Sequence, residues 1–156
     1  MSAIERHGVT ARYADAVIHN DVIHLVEVPS TSTADITVQT REVLASIERQ
    51  LNTLGSAPSR ILMATIYLTD LADCEAMNAL WDAWIPPGSA PARACVKVAG
   101  LVDPGWRIEI ALSAVEKKSV RPAHRVCTEG SVVNWASARS SLSWTVLPLG
   151  WLCQPS

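Results

Sequence analysis

Hydrophobic and polar residues alternate with period two over Pro91–Val98 and again over Trp106–Glu116, the pattern of strands with one apolar and one mixed face. In the first stretch Ala94, Val96 and Val98 share a face, and Arg93, Cys95 and Lys97 share the other. In the second, Ile108, Ile110, Leu112 and Ala114 point one way, and Arg107, Glu109, Ala111 and Ser113 the other. Gly100, Asp103, Pro104 and Gly105 between them mark a turn. Pairing the two as a hairpin about that turn sets Cys95 opposite Glu109. Arg93 becomes a diagonal neighbour of Glu109, about 7 Å away between backbones. The pattern thus predicts an arginine, a thiol and a carboxylate on one patch.

Upstream, Ile4–Val9 reads as a short strand. Asp15–Asn20 and Val22–Val28 read as a hairpin about Asn20-Asp21, residues that tolerate positive φ. Ser32 with Asp35 predicts a helix start, and Ile36, Thr40, Val43, Ile47, Leu51 and Leu54 form the apolar stripe that follows, stopped by Gly55. Arg60–Thr69 is apolar on both faces, with Leu62, Ala64, Ile66 and Leu68 on one and Ile61, Met63 and Tyr67 on the other. This predicts a central strand sandwiched between layers. A second helix is predicted from Leu71 to Ile85, with Asp70 or Asp73 as cap, broken by Pro86-Pro87-Gly88. The order fits an α+β sandwich with both helices on one face of a mixed sheet. Ile61, Met63 and Tyr67, together with Cys95, would then meet water on the other face. Such a patch predicts homo-oligomerisation with closed symmetry.

Composition narrows the reading. With 156 residues, 49% hydrophobic and 18% charged, the chain can bury its own core. A net charge of -2 with scattered Lys and Arg gives no footprint for nucleic acid. No signal-peptide pattern opens the sequence, and no apolar run approaches the ~20 residues of a membrane span. Cys74, Cys95, Cys127 and Cys153 include no Cys-x-x-Cys pair and read as reduced thiols. These features point to a soluble cytoplasmic protein. Residues 118–156 differ from the domain over 1–117: they hold Trp135, Trp144 and Trp151 but one acid, Glu129, and no helical or alternating period. Two readings stay open there, non-native read-through or a genuine, poorly ordered C-terminal extension whose tryptophans dock on the surface.

From Tyr13 to Glu116 the sequence resembles the reactive intermediate deaminase (RidA/YjgF) family of enamine/imine deaminases. The likeness is carried by Arg-Tyr-Ala-Asp-Ala-Val-Ile-His-Asn from Arg12, Gln39-Thr-Arg-Glu-Val-Leu, Ala64-Thr-Ile-Tyr-Leu-Thr-Asp-Leu and Met77-Asn-Ala-Leu-Trp-Asp-Ala-Trp. Most specific is Pro91-Ala-Arg-Ala-Cys-Val with Ile108-Glu-Ile downstream. The resemblance implies a chorismate-mutase-like fold assembled as a homotrimer, with sites in the clefts between subunits. It implies that Arg93 binds the substrate carboxylate, that Glu109 holds or activates water, that the backbone of Cys95 lies beside the ligand and that Tyr13 closes the pocket. At the end of the third strand, family members commonly carry Ser-Gly-Gln or Ala-Gly-Gln. Here Leu25-Val-Glu-Val-Pro stands instead, so Val26 would narrow the backbone's approach to the ligand and Glu27 would add a negative charge.

Hydrolysis of a 2-imino acid needs a carboxylate anchor, a positioned water and a proton for departing ammonia. A guanidinium supplies the first with two parallel hydrogen bonds. A partly desolvated Glu109 suits the second as general base. Neither metal nor organic cofactor is required. The plainer alternative is a cross-strand Arg93–Glu109 ion pair worth about 0.2–1 kcal/mol. Cys95 has no histidine in its motif to activate it and reads as a small wall residue. His19 and His24 lack a third metal ligand at suitable spacing. The activity expected is hydrolytic deamination of reactive imino/enamine acids. The rival is a non-catalytic homotrimer that binds a small carboxylate metabolite or a partner protein. A ribonuclease, a reading attached to the family, finds neither a basic groove nor a stacking-aromatic pattern.

Overall fold

A computed structural model of the chain describes residues 3–117; the two readings of 118–156 lie outside the described residues. Six strands, β1 (Glu5–His7), β2 (Ala16–His19), β3 (Val22–Glu27), β4 (Ile61–Leu68), β5 (Ala92–Lys97) and β6 (Ile108–Val115), form one sheet. Its order is β1-β2-β3-β6-β4-β5. Two helices, α1 (Ile36–Thr53) and α2 (Cys74–Trp84), share its core. The β2–β3 hairpin turns on Asn20 and Asp21, with φ of 51° and 63°, as their tolerance of positive φ predicts.

The N-cap of helix α1 is Asp35, not Ser32: the Asp35 carboxylate accepts from the Val38 N–H at 2.9 Å. It ends where Gly55 takes φ 70°. Its stripe of Ile36, Val43, Ile47 and Leu51 is buried against Ala64, Ile66, Leu68, Ile108 and Ile110 of the sheet. The second helical segment starts with a 3-10 turn over Leu71–Asp73, for which Asp70 is the cap. Asp73 does not cap α2. Its buried carboxylate instead holds the Arg107 guanidinium by two bonds of 2.7 and 2.8 Å.

The hairpin expected of β5 and β6 does not form. β4 lies between them, parallel to β5 and antiparallel to β6. Local alternation specifies which residues share a face of one strand, but not which strand is its neighbour. Here the parallel crossover through α2 places β5 at the sheet's edge. A second correction concerns β4, which is interior but covered on one side only. A register shift between Ile61 and Met63 turns Ile61 into the core, while Leu62 (48%) and Met63 (51%) are exposed.

Candidate functional site

Pairing across the sheet assigns each predicted site residue to a face, because directly opposed residues point the same way. Arg93 pairs with Ala64, and Cys95 with Ile66, both fully buried under the helices. Arg93 and Cys95 therefore lie on the helix side. Glu109 pairs with Tyr67, which pairs in turn with Val96, so Glu109 lies on the open side. The anticipated meeting of Arg93 and Glu109 does not occur within one chain: a strand separates them and they face opposite ways. The ion-pair alternative is overturned by the same geometry. Cys95 likewise does not share the open face with Met63 and Tyr67. It is half-buried against the core.

Arg93 is exposed on the edge strand, and its guanidinium carbon lies 5.4 Å from the centre of the Trp81 ring on α2. This cation–π contact orients the fork without consuming its donors. Among the described residues no carboxylate forms a salt bridge with it, whereas Arg107 is bound to Asp73.

The open face carries a cleft of about 520 Å³ whose lining includes Val17, His24, Val26, Met63, Thr65 and Ser113. Ala111 also lines it, and Glu109 lies one strand repeat beyond Ala111, roughly 6.6 Å along β6. Val26 is 55% exposed at this cleft. Tyr13, 65% exposed, adjoins the lining residue Ala14 and is tied into its loop by the Thr10 hydroxyl, which accepts from the Tyr13 N–H at 3.0 Å.

Glu27 belongs elsewhere. It pairs with Ile110 and so faces the helices, where the Gln50 side-chain amide donates to its carboxylate. Burial pushes its pKa above the ordinary carboxylate range; a Ser46 hydrogen bond opposes this, nearby Asp15 adds to it, and Arg49 works against it. The charge expected beside the ligand is thus on the far side of the sheet from the cleft.

Gln39 is a residue whose positioning role the sequence reading missed. Fully buried, its amide donates to the carbonyls of Ala34 and Gly105, and its oxygen accepts from the Arg107 N–H at 2.8 Å. It ties the segment before β6, and hence Glu109, to the start of α1. The signal was present: a glutamine three residues after Ile36 falls on the apolar stripe. Gly105 is required at this contact, since a Cβ there would lie 2.3 Å from the Ser32 carbonyl oxygen. Among the described residues no cluster of three or more His, Cys, Asp or Glu is arranged to hold a metal, and no helix is long and apolar enough to cross a membrane.

A six-stranded mixed sheet with two helices on one face and an open, apolar second face defines a small α+β protein of the YjgF type. The chain belongs to the RidA/YjgF family. The family model described as Endoribonuclease L-PSP matches residues 3–116. The chain is 44% identical over 111 residues to the RutC family protein YoaB of Escherichia coli, covering 71% of this chain and 96% of that one. A RutC family protein of Haemophilus ducreyi is 39% identical over 112 residues, covering 71% and 95%. Among solved structures, a YjgF-family protein from Neisseria meningitidis superposes with a TM-score of 0.72 at 42% identity, covering 76% of this chain and 98% of that one.

Proposed function

We propose that the chain hydrolyses reactive 2-imino and enamine acids to 2-keto acids and ammonia. It would act as a homotrimer, with Arg93 as carboxylate anchor and Glu109 as holder of the attacking water. The observation that carries this reading is the Arg93 guanidinium. It lies in the family's Pro-Ala-Arg-x-Cys-Val motif, oriented by Trp81, with no carboxylate of the described chain bonded to it. A 2-imino acid brings the missing carboxylate. Its bidentate binding also draws charge from the adjacent imine carbon as water attacks. Glu109 takes a proton from that water, and the resulting carbinolamine collapses to the ketone as protonated nitrogen leaves as ammonia. An enamine first tautomerises to the imine.

Because Arg93 and Glu109 lie on opposite faces of one sheet, this assignment requires the β5 edge of one subunit to meet the open face of another. The exposed Val26, Met63 and Val96 give that contact apolar surface. The assay is ammonia release from freshly generated 2-iminopropanoate, which the parent should accelerate and Arg93→Ala should not. An unchanged rate in Arg93→Ala would remove the anchor. Mixed assemblies of inactive Arg93→Ala and Glu109→Gln subunits should regain activity, since some clefts then combine an intact arginine with an intact glutamate. Failure to complement would place both groups on one subunit, or remove Glu109 from the reaction.

One observation favours a second reading, a non-catalytic trimer that binds a carboxylate metabolite or a partner protein. The cleft lining is mostly apolar. Binding of a keto acid that is lost in Arg93→Ala, with no turnover of any imine, would select it. An apolar cleft of this kind offers no track for phosphates, so the endoribonuclease in the family model's description gains no support.

A further inference from the structure

The two described cysteines lie far apart in sequence but meet in the fold. Arg93 and Cys95 share the helix side of β5, and Arg93 sits over Trp81. From Arg93 to Cys95 is one strand repeat, roughly 6.6 Å. From Trp81 back to Cys74 is two turns of α2, roughly 10.5 Å. Strand and helix run past each other in opposite senses, so that as β5 advances from Arg93 to Cys95, α2 runs back from Trp81 toward Cys74, and the two thiols become neighbours between the strand and the helix. Both are half-buried against the same core, and the Asn78 amide nitrogen lies 3.5 Å from the Cys74 sulfur, fixing its rotamer.

We propose that Cys74 and Cys95 form a redox pair that closes to an intrachain disulfide on exposure to a peroxide, stapling the edge strand to the start of α2. In the first step one thiolate attacks a peroxide oxygen. The O–O bond breaks, the sulfur becomes a sulfenic acid, and the departing hydroxide takes up a proton as water. In the second the other thiol attacks the sulfenic sulfur, its proton leaving with the displaced hydroxide as a second water. Two thiols and one hydrogen peroxide give one disulfide and two waters, the sulfurs supplying the two electrons. Burial and the neighbouring Cys74 push the Cys95 thiol's pKa up against the pull of Arg93, which suits Cys95 to the second, resolving step. The staple lies two residues from Arg93, so oxidation fixes the strand that carries the proposed anchor. The pairing itself does not depend on the deaminase reading.

The test uses the full chain with Cys127→Ser and Cys153→Ser, which leaves only this pair. After hydrogen peroxide, the folded protein should lose two hydrogens in mass and both alkylatable thiols. It should yield a peptide joining the Cys74 and Cys95 segments, and dithiothreitol should restore the starting mass. The reaction should run at least roughly tenfold faster in the folded chain than in urea, because the fold holds the sulfurs together. Adding Cys95→Ser should abolish the cross-link and leave oxygen adducts on Cys74, the thiol oxidised first. Oxygen adducts without a cross-link in the parent pair, links only between chains, or equal rates folded and unfolded would overturn the proposal. None of these readouts uses imine turnover.

Discussion

Along β4, Ala64, Ile66 and Leu68 are fully buried beneath the helices, while Met63 on the opposite face is half exposed. The same period-two alternation built both faces. On one side, α1 and α2 bring apolar stripes from the same chain, and the core closes. On the other, Val17, Val26, Met63 and Ala111 bound a cleft that no described element covers. The difference teaches that pattern reports which residues seek burial, not where the covering surface comes from. It also separates the residues of the proposed chemistry, with Arg93 on the covered side and Glu109 on the open one.

The largest expected effect is on the covered face. Ile66→Ala removes a fully buried side chain beneath both helices and should destabilise the chain by about 2–5 kcal/mol in denaturant titration. A loss under about 1 kcal/mol would break the contrast, since the helix face would then be loosely packed. Next comes Arg93→Ala, expected to lower kcat/KM by about 100-fold, or ~3 kcal/mol, through loss of a charged bidentate contact. Its unfolding free energy should move by no more than about 0.5 kcal/mol, because the side chain is exposed. Arg93→Lys should fall between parent and alanine, keeping charge but losing the fork. On the open face, Met63→Asp should leave the chain folded yet weaken self-association by at least ~100-fold, read by sedimentation over a concentration series. A parent that is already monomeric at the highest concentration would show that the face needs no second copy.

How much was legible beforehand follows the same division. Both helices, the Asn20-Asp21 hairpin and the faces of β5 and β6 could be read, because each depends on residues within a turn or two of one another. The position of β4 between β5 and β6 could not. That neighbour choice rests on long-range burial of Ala64, Ile66 and Leu68, which lie some thirty to fifty residues from the strands they join. The candidate site suffered from the same limit. Arg93 was identified through its motif, but its meeting with Glu109 assumed a hairpin, and one interposed strand was enough to undo it. Glu27 follows Val26 in the sequence, but adjacent strand residues point to opposite faces, so nearness along the chain does not carry it to the face of the cleft. The Cys74–Cys95 contact depends on how α2 crosses β5, and no spacing in the sequence encodes it.

The smallest effect tests the covered face where it is least apolar. Glu27 is half-buried between β3 and α1, and desolvation holds its pKa above the ordinary value of 4.5. A carboxyl whose folded pKa is raised binds its proton more tightly folded than unfolded. Its stabilising contribution is therefore fully present below about pH 4.5 and is lost as pH rises through the folded value. At neutral pH the ionised group is a cost that Glu27→Gln removes, while the glutamine oxygen can still accept from the Gln50 amide. The variant should melt modestly above the parent at pH 7–8, and the gap should shrink on acidification and close near pH 4.5. A gap that is constant with pH would assign the gain to packing rather than charge. A variant that melts below the parent at pH 7 would mean that the bonds from Gln50 and Ser46 to the ionised carboxylate outweigh its desolvation. The helix side would then tolerate a charge as readily as the open face does.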